Sequence, residues 1–73
     1  MQVQTVITTS VPDAALEAGD VGTVVHVYKD GQAYEVEFVT LDGHTAAVLT
    51  LEASQVRPVN RRDITHTREL SVA

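Results

Sequence analysis

The sequence predicts an all-β fold, a small closed barrel of five short antiparallel strands followed by a polar tail. Two observations carry this. Runs rich in Val, Ile, Thr, Tyr and Phe recur through residues 3–59, and Gly-, Asp- or Pro-containing turns separate them at short intervals. A third sets the scale: 73 residues supply one hydrophobic core and bury only about 60% of the unfolded surface. Residues 1–59 are read as the barrel and residues 60–73 as the tail.

Val3 to Thr9 reads as the first strand, with Val3, Thr5 and Ile7 on one side. Pro12-Asp13 ends it, because proline donates no ladder hydrogen bond. Ala14 to Ala18 has length for one helical turn and no more. In Gly19-Asp20-Val21-Gly22 two glycines three apart allow a tight turn at positive φ.

The strongest local signal is a hairpin. Thr23 to Tyr28 and Gln32 to Val39 flank Lys29-Asp30-Gly31, and Asp-Gly favours a two-residue turn. With Asp30 and Gly31 central, Val27 faces Tyr34, Val25 faces Val36 and Thr23 faces Phe38. That side is apolar and expected buried. The other carries Val24, His26, Tyr28, Ala33, Glu35, Glu37 and Val39, the alternation of a sheet with one wet face. Leu41-Asp42-Gly43-His44 supplies a second turn, Thr45 to Leu51 a fourth strand, and Glu52 to Gln55 one 3₁₀ turn. Val56-Arg57-Pro58-Val59 reads as a short strand that Pro58 confines to a sheet edge.

The tail is polar, with Arg61-Arg62 and apolar Ile64, Leu70 and Val72 at even positions. It reads as an added strand, a dimer arm that pairs with a second copy, or a disordered segment.

Composition and charge exclude function classes. There are no cysteines, hence no disulfide framework, thiolate zinc site or cysteine nucleophile. No apolar run has the roughly 20 residues needed to cross a bilayer, and MQVQTVITTS lacks the basic start and apolar stretch of a secretory leader. A cytoplasmic location is expected. The net charge is −5. Residues 1–59 hold eight acids (Asp13, Glu17, Asp20, Asp30, Glu35, Glu37, Asp42, Glu52) against Lys29 and Arg57, leaving −6. Such a body repels phosphate and anionic membranes, and it suits a basic protein surface.

The run Gly19-Asp20-Val21-Gly22-Thr23-Val24-Val25-His26-Val27-Tyr28, followed by Gly31-Gln32-Ala33-Tyr34-Glu35-Val36-Glu37-Phe38, resembles a small bacterial family catalogued as domain of unknown function 4926. Asp42-Gly43-His44-Thr45, Thr50-Leu51 and Val56-Arg57-Pro58 fit the same pattern, so the resemblance spans residues 3–59. It implies an SH3-like five-stranded barrel and, for some members, an antitoxin-like partnership with a neighbouring small protein. It implies no activity or catalytic residue, and the tail lies outside it. Gly19 to Val24 also resembles, over a shorter stretch, the KOW motif of ribosome and transcription-factor barrels.

The residues themselves point away from catalysis. His26, His44 and His66 fall on a strand, a turn and the tail, without the spacing of a helical metal motif. His26 faces Glu35 as a surface cross-strand pair, and His44 beside Asp42 reads as a solvated loop. Glu35 and Glu37 share a strand face, yet a glycosidase-like pair needs a deep cleft. Ser10 and Ser54 have no histidine to activate them. No cofactor or metal is expected. Recognition of proline-rich peptides needs a groove of several exposed aromatics, and Tyr28 alone is left outward. The expected function is therefore protein–protein interaction, as an acidic antitoxin-like or regulatory partner of a basic protein. Tyr28, Glu35, Glu37, Val39, Asp20 and Asp42 are the expected interface, and Arg61, Arg62, Ile64, Leu70 and Val72 the expected tail contacts. The alternatives are a KOW-like nucleic-acid module using Arg57, Arg61 and Arg62, and a self-associating homodimeric domain.

Overall fold

The computed structural model describes residues 3–70. Five antiparallel strands form a single sheet in the order β4-β3-β2-β1-β5. They are β1 Val3–Ile7, β2 Val21–Tyr28, β3 Ala33–Val39, β4 Thr45–Glu52 and β5 Val56–Pro58, with 3₁₀ turns at Pro12–Ala14, Lys29–Gly31 and Ala53–Gln55. The all-β expectation holds. Pro58 lies on an edge strand, where its missing N–H costs no ladder bond. β4 and β5 are the two sheet edges, so the expected closed ring is not completed by a ladder between them. No helix among the described residues is long and apolar enough to cross a membrane.

One side of the sheet makes the core. Ile7, Leu16, Val36, Phe38 and Leu51 are buried together, with Val24, Tyr34, Leu49 and Val56 packed against them. β3 shows the alternation clearly: Val36 and Phe38 point inward, while Glu35, Glu37 and Val39 do not. On β1, Thr5, Val6 and Ile7 are all buried, whereas Val3 at the strand start is 53% exposed. The Thr5 hydroxyl donates to the Arg57 carbonyl at 2.8 Å, so its burial leaves no polar atom unsatisfied.

The β2–β3 register departs from the simple hairpin. His26, Val27 and Tyr28 pair with Glu35, Tyr34 and Ala33 as expected, but Val24 pairs with Val36 and Thr23 with Glu37. Val25 is the extra residue of a bulge. Because side chains alternate with period two, one inserted residue exchanges the faces beyond it. Val24 therefore turns inward and Val25 is 42% exposed, the reverse of the expected arrangement. Val27, expected buried, keeps its pairing yet is 52% exposed near the hairpin end. Phe38 is buried and Tyr34 half-buried.

The turns also differ in detail. Tyr28 and Ala33 are the last β2–β3 pair, so four residues connect the strands in place of two. Lys29, Asp30 and Gly31 all take positive φ (46°, 58° and 91°), and the Gln32 N–H donates to the Tyr28 carbonyl at 3.2 Å. Of the Gly19–Gly22 pair, Gly19 alone takes positive φ, at 100°, while Gly22 is a buried strand residue.

The described part of the tail, residues 60–70, contains no strand, so an added strand is not what holds it. It turns back at Asn60–Asp63, where the Asp63 N–H donates to the Asn60 carbonyl at 3.0 Å. Two arginine–carboxylate pairs then fix its path: Arg57 with Asp63, and Arg68 with Asp20.

Candidate functional site

Strand alternation, corrected for the bulge, places one set of side chains on the outward face of β2, β3 and β4. β2 contributes His26 and Tyr28, β3 contributes Glu35, Glu37 and Val39, and β4 contributes Val48, Thr50 and Glu52. The three strands contain no lysine or arginine. The face is therefore acidic and studded with apolar side chains: Val39 is 47% and Val48 51% exposed.

Hydrogen bonds order this surface. The Tyr28 hydroxyl donates to Glu35 Oε1 at 3.0 Å, and the tyrosine ring meets His26 edge-on with centroids 4.3 Å apart. Accepting that bond, the Glu35 carboxylate holds the Tyr28 hydroxyl above its ordinary pKa, because the phenolate would face an anion. Glu37 pairs directly with Val48 and accepts from the Thr45 hydroxyl at 2.9 Å. Both carboxylates are thus positioned, and each keeps a second oxygen for an incoming donor.

Asp42 lies in the β3–β4 loop just past Val39. It accepts from the Thr40 hydroxyl, and its Oδ2 lies 3.1 Å from His44 Nδ1. The Thr40 hydrogen bond, then that from His44, lowers the Asp42 pKa. Both His44 and Asp42 are well exposed, in keeping with a solvated loop. Among the described residues, no group of three or more His, Asp or Glu side chains gathers where a metal could be held.

Asp20 is separate from this arrangement. It precedes β2, and Arg68 from the tail takes up its carboxylate, Nε donating to Oδ1 at 3.0 Å and Nη2 to Oδ2. The Arg68 bonds hold the Asp20 pKa below its ordinary value, outweighing the opposing effect of partial burial. The structure thus brings Tyr28, Glu35, Glu37 and Val39 to one face, sets Asp42 at its end, and withdraws Asp20 into an internal pair.

Of the tail residues, Arg61, Arg62 and Ile64 are exposed, Ile64 to 92%, and Leu70 is half-buried. Val72 lies outside the described residues. Arg57 is held by Asp63 in a two-bond fork, Nη1 to Oδ2 and Nη2 to Oδ1, both at 3.0 Å. Its guanidinium is thereby committed within the chain. Sequence reasoning missed Val48 and Arg68. Val48 was accessible from alternation along β4, opposite Glu37; Arg68 carried no local signal, since its partner is 48 residues away.

Fold and face together define a small all-β domain with an acidic, partly apolar sheet surface. The chain belongs to the family described as Domain of unknown function (DUF4926), whose model matches residues 5–58. That span contains the five-stranded body from Thr5 onward and leaves the tail outside. No curated protein and no solved structure matches the chain.

Proposed function

We propose that this domain is a non-enzymatic protein–protein interaction module that masks a basic protein, as an antitoxin-like or regulatory partner in the bacterial cytoplasm. The observation that carries the reading is the outward β2–β4 face, where Glu35, Glu37 and Glu52 surround Tyr28, Val39 and Val48 without a cation on any of the three strands. Long-range attraction from the −6 body would steer a cationic surface inward and raise the association rate. Once docked, Tyr28 is the natural anchor, because tyrosine buries a large ring while keeping its hydroxyl on Glu35.

A nucleic-acid role has less support. Binding to phosphate draws its affinity from free lysine and arginine. Arg57 is paired with Asp63 and Arg68 with Asp20, which leaves Arg61 and Arg62 in the tail and Lys29 in the hairpin turn, beside an anionic body.

The test begins with capture of partners by the tagged full chain under nuclease treatment, followed by titration of the recovered protein against wild type and the Glu35→Gln/Glu37→Gln double variant. The expected result is a stoichiometric complex with a basic protein that weakens as salt rises and weakens again in the double variant. Nuclease-sensitive recovery of nucleic-acid-bound material would favour the KOW-like alternative. A particle near twice 7.9 kDa containing the chain alone would replace the proposal with self-association.

A further inference from the structure

We infer that the loop from Ala15 to Asp20 is a guanidinium-binding site, filled in cis by Arg68 of the tail and open to an arginine of a partner peptide when the tail lifts.

The site is built without help from the tail. Leu16 is buried in the core, and its backbone exchanges hydrogen bonds with Val11 in both directions, at 2.9 and 3.1 Å. The Glu17 N–H donates to Asp20 Oδ2 at 2.9 Å, and the Asp20 N–H donates back to the Glu17 carbonyl at 3.0 Å. The carboxylate is thus oriented by the loop's own backbone. Ala15, at φ 58°, presents its carbonyl to the same guanidinium, 3.0 Å from Arg68 Nη2. Glu17 Oε2 stands 3.6 Å from Nη1. A planar fork therefore meets a two-oxygen carboxylate, a carbonyl and a further anion, the arrangement that distinguishes arginine from lysine.

The occupant is a visitor. Asp20 and the loop lie inside the residues 5–58 that the family model matches, whereas Arg68 comes from the tail beyond them. Ile64 to Thr67, between the two tail anchors, are exposed, and among the described residues 64–70 Arg68 alone hydrogen-bonds to the body. One side chain closes the site, so one side chain opens it. A tethered arginine competes at roughly millimolar effective concentration, enough to hold the site against stray cations and little enough for a specific partner to displace. This inference rests on the reading of the domain as a partner of a basic protein and places one contact of that partner away from the β2–β4 face.

The probe is a synthetic peptide with the sequence of residues 60–73, titrated by amide chemical shifts into the full-length protein. Arg68→Ala should bind it at least about tenfold more tightly than wild type, since the competing cis arginine is gone. Shifts should centre on residues 15–20. Arg68→Lys, which keeps the charge and loses the fork, should fall between the two and guards against an Arg68→Ala chain that is merely misfolded. Adding Asp20→Asn to either variant should abolish binding, as should replacing the arginine of the peptide that corresponds to Arg68. Absence of binding to both Arg68 variants up to about 5 mM peptide, or binding indifferent to Asp20→Asn, would overturn the inference. The Glu35→Gln/Glu37→Gln chain should bind the peptide as its parent does, so failure here and failure of the masking reading are told apart.

Discussion

Gly22 on β2 and Val36 on β3 approach so closely that a Cβ placed on Gly22 would lie 2.5 Å from Val36 Cγ1, and 2.9 Å from both the Glu37 carbonyl oxygen and Phe38 Cε1. Two of these neighbours are buried core side chains and the third is backbone, so none can swing away. Gly22→Ala should therefore destabilise the domain by about 1–3 kcal/mol, the usual cost of overpacking. Gly43→Ala meets no atom within 4 Å but sits at φ 91°, so its cost of roughly 1–2 kcal/mol would be purely conformational. Urea midpoints at constant m-value measure both, and a neutral Gly22→Ala would show that the β2–β3 contact is looser than described.

Ile7 is 1% exposed and joins β1 to the core beside Leu16 and Val36. Truncation to alanine should cost about 2–5 kcal/mol, a large part of what a domain of this size has available. Loss of a cooperative thermal transition near room temperature is the expected readout. Ile64→Ala, at a side chain 92% exposed, should move the midpoint by less than about 0.5 kcal/mol.

Much of this architecture is legible in the residues. Asp30-Gly31 announces the hairpin, Pro58 announces an edge, and the β-branched runs mark the strands. The bulge at Val25 is not legible, because Val24 and Val25 are the same residue type and the hydrophobic pattern reads equally well with either one inward. What decides between them is contact across strands: Gly22 must lie against Val36 and Phe38, and the extra residue lets β2 meet that demand while His26 to Tyr28 keep their pairing. The outward site could be read because alternation on β3 is unbroken from Glu35 to Val39. The Arg68–Asp20 pair could not, since an ion pair across 48 residues leaves no period in the sequence.

Acid should expose that pair. Arg68 lowers the Asp20 pKa below its ordinary value of 3.8, so the folded state favours the ionised carboxylate. A group depressed in this way contributes stability above the unfolded value and loses it as pH falls through the lower, folded value. The stability gap between wild type and Asp20→Asn should be full at neutral pH and shrink below about pH 4. Melting both proteins across that range checks it, and a gap that persists in strong acid would assign the effect of the substitution to the loop's shape.

Tyr28 gives the opposite sign. Its hydroxyl donates to Glu35, and its pKa is raised above the ordinary 10.0 chiefly by that hydrogen bond. The proton is held more firmly in the folded state, so the associated stability is complete below the unfolded value and is lost as pH rises through the folded one. Phenolate absorbance isolates the group: the wild-type titration minus that of Tyr28→Phe reports Tyr28 by itself. Its midpoint should lie above 10.0, and Glu35→Gln should bring it back towards that value while leaving the sheet intact. If the midpoint were unmoved by Glu35→Gln, the hydroxyl would not be pinned to the carboxylate. Tyr28 would then be free to turn away from Glu35, and the outward face would lose the fixed aromatic anchor on which docking of a basic partner depends.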